Sequence, residues 1–334
     1  MMRRASLSLI YEGRDISKDI GPDLCSFTFT DKADGEADDA QVVISDRNKL
    51  WQGSWLPSHG HTMRPTIVCE NWFTDGDRLS LPCGTFQVDE VELEAGETDK
   101  ITVKGIPSAV KSSITGQKKT RGWQGTSLEQ VAKDVAGNAG LGVVYRGEAV
   151  ALGRVDQRQE SDLAFLHRVA NEHGCQLKVA DDKIILFSGK QADTLAPLSL
   201  TRADGGSFRA KRSTAGVYQG SRVGYTDPAT GKTHKVEYKP EEAPKTGKYL
   251  ELNQRVESLQ QAHHVAPAAL RSKNKKERTA EWSGMGDPRM RAGMTVNVSG
   301  FGKFDGTYTV KEATHTVTPE SYTTSLNLEA ALGY

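Results

Sequence analysis

Gly76-Asp77-Arg78-Leu79-Ser80-Leu81, followed by Gly84-Thr85-Phe86-Gln87-Val88-Asp89-Glu90, is written again in altered letters near the other end of the chain. There it reads Gly293-Met294-Thr295-Val296-Asn297-Val298, followed by Gly306-Thr307-Tyr308-Thr309-Val310-Lys311-Glu312. Both copies are glycine, two spacers, alternating apolar residues, then Gly-Thr-aromatic-x-Val-x-Glu. Each reaches a second alternating strand, at Ile101 and Val103 in one and at Leu326 and Leu328 in the other. Successive side chains on a strand point to opposite faces, so apolar residues at every second position mark one buried and one wet face. Glycine suits turns that need positive φ or close backbone approach. The pattern therefore reads as a strand, a glycine-assisted turn and a long hairpin that closes a small barrel. A plainer reading is that two β regions share common hairpin grammar. If the duplication is real, one chain presents two similar barrels and three chains a ring of six modules. Closed cyclic assembly is the usual outcome of such heterologous contacts.

Outward from the first copy, the leading hundred residues read as strands and turns. Leu7, Leu9 and Tyr11 alternate with polar neighbours, as do Cys25, Phe27 and Phe29, then Val42 and Ile44. Asp31 to Asp39 (DKADGEADD) is acidic and glycine-containing and reads as a surface loop. Residues 84–105 read as a hairpin turning at Ala95-Gly96-Glu97. The middle changes character. Thr126-Ser127-Leu128-Glu129 has a capping-box pattern opening a helix whose face is Leu128, Val131, Ala132 and Val135, ended by Gly137 and Gly140. Leu141 to Tyr145 follows as a strand. Ser161 caps a second helix with Asp162 in its first turn, an apolar face of Leu163, Leu166, Val169 and Ala170, and a stop at Gly174. Gln176 to Val179 and Ile184 to Phe187 are strands joined by a turn at Ala180-Asp181-Asp182-Lys183. The last part returns to strands: Leu198 to Thr201, Ser207 to Arg212, Ala215 to Gly224 and His234 to Tyr238. Thr226 to Thr233 is a turn and Pro240 to Gly247 a polar loop. Asn253 to about Lys276 reads as a helix with Leu259, Ala262, Val265 and Ala266 inward, kinked or interrupted at Pro267. Strands resume at Glu277 to Trp282. The expected class is mainly β with an α/β insertion (α+β). Its parts are a first barrel-like domain at 1–110, a small α/β domain at 111–195, and a second barrel-like domain at 196–334 with an inserted helix at about 253–276.

With 334 residues the chain can bury a large core without staples. Lys and Arg number 43 and Asp and Glu number 43, so no basic excess points to nucleic acid or an anionic membrane. Cys25, Cys69, Cys83 and Cys175 are scattered outside any C-x-x-C spacing and read as reduced, mostly buried thiols. The N-terminal apolar run from Ala5 to Ile10 is too short for an export signal, and no stretch approaches a membrane span, so no membrane anchor is expected.

Candidate sites are few. His59-x-His61 with Cys69 is a conceivable metal set, but it lacks a second ligand pair and reads as a polar loop. His263 and His264 are consecutive, point about 100° apart on a helix, and read as surface or interface residues. Cys175 beside His173 is read as a buried structural thiol rather than a nucleophile. No G-x-S-x-G, H-E-x-x-H or P-loop occurs. The expectation is no catalytic, cofactor or metal residue. Lys118-Lys119-Thr120-Arg121 and the cluster Arg271, Lys273, Lys275, Lys276 and Arg278 are read as solvated faces, the second with a possible DNA or acidic-partner contact. Trp51, Trp55, Trp72 and Trp123 read as core or subunit-contact residues rather than a base-stacking platform.

Gln157-Arg158-Gln159-Glu160-Ser161-Asp162-Leu163-Ala164-Phe165-Leu166-His167-Arg168-Val169-Ala170-Asn171-Glu172-His173-Gly174 resembles the Q-x-x-E-S-D-x-x-F-L-x-R-x-A-x-E-x-G segment of the phage late control protein D family. That family is the hub of contractile-tail baseplates and is related to the hub part of type VI secretion spike proteins. The stretch from Gly293 to Leu328, with His315, is similar to that family's terminal barrel. The resemblance implies a non-enzymatic baseplate hub: a homotrimeric, pseudo-sixfold ring that joins a sixfold tail tube to a threefold spike and lets DNA pass without specific binding. It implies tail tube, spike and other baseplate or tape-measure proteins as partners. It also implies a place in the virion tail after assembly in the host bacterial cytoplasm. Because the chain stops at Tyr334, a separate spike protein is expected. Two alternatives are a hub fragment of a bacterial secretion or injection spike and a cell-wall hydrolase acting during penetration; a carbohydrate-binding module is a weaker one. Gene neighbours separate the first, and release of soluble peptidoglycan fragments would favour the second.

Overall fold

A computed structural model describes residues 2–33, 37–108, 112–180, 183–188, 197–226, 231–245, 247–253, 256 and 258–334. The N-terminal region holds β1 (Arg4–Tyr11), β2 (Arg14–Asp15), the one-turn helix α1 (Ser17–Ile20), β3 (Leu24–Lys32), β4 (Asp39–Ser45) and β5 (Thr62–Glu70). It continues with β6 (Arg78–Pro82), β7 (Phe86–Glu94) and β8 (Lys100–Pro107). Its core lies where period-two alternation puts it: Leu7, Leu9, Phe27, Phe29, Val42, Ile44, Phe86 and Val88 are all buried. The segment 31–39 departs from the surface loop its composition suggests. Asp31 and Lys32 continue β3, Asp39 begins β4, and Asp31 and Asp38 are buried. Residues 34–36 of that segment lie outside the described residues.

The middle region runs α2 (Ser112–Thr115), β9 (Lys118–Ser127), α3 (Leu128–Ala139), β10 (Gly142–Arg146), β11 (Ala151–Ser161), α4 (Asp162–Glu172), β12 (Cys175–Ala180) and β13 (Lys183–Ser188). Both amphipathic helices pack their expected faces into one cluster with Leu177, Ile184 and Leu186. The cap of α3 sits one residue later than the capping-box reading: Ser127, not Thr126, accepts the Gln130 amide. Gly137 lies inside that helix, and Gly140, with φ of 69°, ends it. The ribbon β9–β11 is absent from the sequence reading. Its residues are largely polar and leave little apolar alternation to read.

The C-terminal region adds β14 (Leu198–Thr201), β15 (Ser207–Arg212), β16 (Tyr218–Thr226), β17 (Thr233–Tyr238), β18 (Lys248–Leu252) and α5 (Leu259–Asn274). Then come β19 (Arg278–Met285), β20 (Thr295–Ser299), β21 (Gly306–Val317) and β22 (Tyr322–Ala330). Helix α5 starts later than Asn253, and Leu259 is exposed rather than inward. Positions 254, 255 and 257 of the expected helix lie outside the described residues, as do 181–182, 227–230 and 246 of the expected turns and loop. The helix also continues past Pro267 instead of ending there. An interior proline costs about 3 kcal/mol. Burial of Ala262, Val265, Ala266, Leu270 and Asn274 against the β16–β17 sheet outweighs that cost.

The strands of both β regions, except β16, β17 and β18, which form their own three-stranded sheet, run into one fourteen-stranded sheet, ordered β15-β19-β22-β21-β3-β4-β8-β7-β5-β1-β2, with β20 on β21, β14 on β20 and β6 on β5. The two regions are thus hydrogen-bonded to each other through β21 and β3. The repeat holds in part. The strand before the hairpin differs, since β20 pairs with the hairpin strand β21 while β6 pairs with β5. The hairpins themselves match to the residue. Both carry a register shift at the Val-x-Glu position, between Val88 and Glu90 in β7 and between Val310 and Glu312 in β21. Followed strand by strand, the correspondence extends to four strands. The row Phe27–Val42–Val103–Val91 matches Phe208–Trp282–Leu326–Ala313, and Phe29–Ala40–Gly105–Val88 matches Ala210–Ala280–Leu328–Val310. The meander β3-β4-β8-β7 is therefore repeated as β15-β19-β22-β21, bulge included. A bulge re-aims a strand and is not placed twice by common turn grammar.

Candidate functional site

The described residues hold two polar constructions, one around the motif helix and one where the two meanders meet. At the motif helix, Ser161 caps α4 by accepting the Ala164 amide at 3.3 Å. Gln159 takes a positive φ of 52° at the bulge in β11. That turn brings Gln157, Glu160 and Asp162 together. The Asp162 carboxylate is buried and accepts from Lys119 Nζ at 2.6 Å, from Arg121, and from Gln157 Nε2 at 2.9 Å. Gln157 Oε1 accepts Arg121 Nε in return. On the outer side, Arg168 reaches Glu160 at 2.5 Å, Glu172 at 3.1 Å and the Asp156 carbonyl at 3.0 Å. The hydrogen bond from Arg168 holds the Glu160 carboxyl below its ordinary range. A buried charge persists only when paired and hydrogen-bonded, and each polar letter of the motif supplies a partner. The expected basic patch at Lys118 to Arg121 is consumed here, with Lys119 and Arg121 turned to Asp162 rather than to a ligand. An open cleft of about 770 Å³ over this network is lined by Arg154, Asp156, Arg158, Glu160, Arg168 and Glu172, three cations facing three anions.

At the meander junction, β21 residues Glu312 to Val317 pair antiparallel with β3 residues Lys32 to Phe27. His315 is fully buried here and stacks on Phe29 with ring centroids 6.2 Å apart. Its Nε2 lies 3.0 Å from the Met290 carbonyl, which can only accept, so Nε2 carries the proton. Nδ1 then accepts from Tyr322 Oη at 2.8 Å and Thr324 Oγ1 at 3.1 Å. Burial pushes the imidazole down to about 4, so it is held neutral. Asp31 closes the same junction, accepting from Lys178 of β12 and from the Ala292 amide at 3.0 Å. The middle region is thereby tied to the junction. Sequence reading missed Asp31 and Lys178. The signal was present for Asp31: it continues the inward series Phe27, Phe29, Asp31 at period two.

The other candidates are placed as follows. His61 Nδ1 bonds Tyr11 Oη at 2.8 Å, and Cys69 is a core thiol pushed up to about 12 by burial. His263 is exposed and His264 half-buried, on successive positions of α5. Cys175 is buried with its thiol pushed up to about 11 by burial, and His173 bonds the Val169 carbonyl. In the second basic cluster, Lys275 pairs with Glu329 at 2.9 Å and Arg278 lies over the Tyr308 ring, while Lys273 and Lys276 are exposed. Trp51 and Trp72 are buried, Trp72 donating to the Gly286 carbonyl; Trp123 stacks on Phe165; Trp55 is exposed.

Against known proteins, the sequence profile described as phage tail baseplate hub (GPD) matches residues 110–321. A probable baseplate hub protein of Escherichia phage P2 is 27% identical over 220 residues, which is 64% of this chain and 54% of that protein. The chain thus spans about half the length of the curated relatives it matches. The tail protein from Neisseria meningitidis MC58 superposes with a TM-score of 0.73 at 14% identity, covering 98% of this chain and 96% of that one. The 43 kDa tail protein of prophage MuSo2 from Shewanella oneidensis gives 0.69 at 15%, covering 97% and 96%. At these identities the structural likeness is one of fold.

Proposed function

The chain belongs to the phage tail baseplate hub family, and from that premise we propose that it is the structural subunit of a trimeric ring in a phage tail baseplate. The observation that carries the reading is the register-matched pair of four-stranded meanders within one chain. Three chains then supply six equivalent meanders, which suit a sixfold tail tube on one side, while the chain itself repeats three times and suits a threefold spike on the other. The ring is a conduit through which DNA passes without base readout, in keeping with a chain of zero formal net charge. Its partners are further copies of itself, the tail tube and spike proteins, and other baseplate or tape-measure proteins. Its place is the virion tail, after assembly in the host cytoplasm. The role is mechanical rather than catalytic: the motif carboxylates are each held by cations, and the Cys69 and Cys175 thiols are buried and kept protonated.

The test is direct. Mass photometry of the purified chain, alone and with its spike subunit, is expected to give three copies per particle. Negative-stain averages are expected to show a threefold ring with six lobes. A particle that stays monomeric with the spike subunit present would overturn the reading.

A further inference from the structure

We propose that the module inserted between β15 and β19 is a docking site for another protein, taking an extended acidic segment as an added strand along the outer edge of β17.

The insertion shows when the two meanders are compared. β3 and β4 are joined by the short connection 33–38, whereas their equivalents β15 and β19 are joined by 213–277. That length carries β16, β17, β18 and α5, which form a three-stranded sheet of order β17-β16-β18 backed by one helix. The first meander closes without such a unit, so the meander architecture does not require it. The module has its own small core of Val223, Val236, Val256, Ala262, Val265 and Ala266. Its base is pinned. Asn274 accepts the Tyr218 amide at 2.8 Å and donates to the Tyr218 carbonyl at 2.7 Å, and Ser221 Oγ donates to the Ala266 carbonyl at 2.6 Å. A pinned unit with its own core, set into a hairpin connection, is a platform for a partner.

One edge of that platform is open. Among the described residues β17 pairs with β16 alone. In an antiparallel pair, alternate residues of an outer strand turn their N–H and C=O groups away from the partner. Those groups are a template for a further strand. Side chains select which strand. α5 covers the face that carries Val223 and Val236, which leaves Lys235 and Glu237 on the opposite face. The Glu237 carboxylate is drawn across the sheet, accepting from Arg222 Nε at 2.9 Å and Tyr249 Oη at 2.7 Å. Lys235 stands opposite Gly224, beside which there is open space. Lys235 and Lys239 are exposed and make no ion pair among the described residues, and His234 is exposed as well. The edge is therefore basic. Its lysines oppose a second β17 edge by like charge and attract a strand that bears carboxylates. Nucleic acid suits the edge less, because a phosphodiester backbone has no N–H and C=O ladder to pair with it.

The probe is a fluorescein-labelled peptide alternating glutamate with valine, titrated into the full chain by anisotropy. Saturable binding is expected, weakened about tenfold by Lys235→Glu with Lys239→Glu, the worth of two cross-strand charge contacts reversed. Lys303→Glu, on an exposed loop elsewhere, should leave it unchanged. Amide exchange at 233–238 is expected to slow on binding, which contact by charge alone would not produce. The same peptide with lysine in place of glutamate, or with a central proline, should not bind. Circular dichroism checks that the variants are folded, since the substituted lysines lie on the surface. Absence of saturable binding, or binding that leaves exchange at 233–238 unchanged, overturns the proposal. So does an oligothymidylate that binds more tightly than the peptide and is lost in Lys235→Glu, which would make the edge a nucleic-acid contact. A particle mass that falls in Lys235→Glu would make it a contact between copies and overturns the proposal too. The module stands outside both meanders, so failure of strand addition leaves the ring reading intact, and mass photometry reads the ring separately.

Discussion

Replacing Asp162 with alanine should unlatch the motif helix. The carboxylate accepts from Lys119, Arg121 and Gln157 and is 1% exposed, so its loss leaves two cations and an amide without their shared partner. Removing one member of a buried ion pair costs roughly 3–5 kcal/mol. The Lys119 and Arg121 side chains are 27% and 28% exposed, so water reaches part of the orphaned charge. The expected cost is therefore at the lower end, about 3 kcal/mol. Hydrogen exchange of peptides covering 157–174 reads this locally. Protection in α4 should fall on the order of 100-fold, the equivalent of that free energy. Arg154→Ala, in the same cleft but 71% exposed, should change it by less than about 0.5 kcal/mol. Unchanged protection in Asp162→Ala would refute the view that the motif is a buried latch and would reopen it as a ligand site.

Two further outcomes follow from the junction and the core. His315 sits at about 4 against an ordinary 6.5, so between those values the unfolded chain binds the proton that the folded chain refuses. Its contribution is complete above about pH 6.5 and is lost as pH falls towards 4, a difference of about 3 kcal/mol; urea unfolding across that window should show a steeper loss in wild type than in His315→Gln, and parallel curves would contradict the assignment. Gly105→Ala should cost about 1–3 kcal/mol in urea unfolding, because the new methyl would lie 2.1 Å from Met63 Cε and 2.9 Å from Phe86 Cβ; a neutral result would mean that the sheet opens there more easily than its packing implies.

What the sequence disclosed was local. Period-two alternation located Leu7 to Tyr11, Phe27 to Phe29 and the two hairpins, and the serine before a helical apolar face located α4. The Val-x-Glu spacing held more than it first declared, since it marks the same bulge in both meanders. What stayed hidden was hidden for stated reasons. The ribbon β9–β11 lacks an apolar stripe because it spends side chains such as Lys119, Arg121 and Gln157 on the network around Asp162. The equivalence of β3 with β15 rests in letters on little beyond Ser26-Phe27 and Ser207-Phe208, too short to find without the register. The β21–β3 pairing joins residues almost three hundred positions apart and leaves no periodic trace. Pro267 does not end α5, because an intrinsic preference was outweighed by a buried helix face.

The different chemistry at equivalent positions of the two meanders has a physical logic. The β21–β3 junction forms once, within a single chain, where both partners are held close by the fold. It tolerates a buried histidine bonded to Tyr322, Thr324 and Met290, since every polar atom of that ring is satisfied. The equivalent edges, β7 beyond Val88 and β15, have no such partner among the described residues and lie in water. An exposed apolar edge would pair with any other edge. Glutamates along one and basic residues along the other keep like edges apart. The position held by His315 at the junction is held by Leu93 at the β7 edge, an apolar side chain that stays 49% exposed. The two meanders thus differ in chemistry where one has its neighbour within the chain and the other, among the described residues, has none.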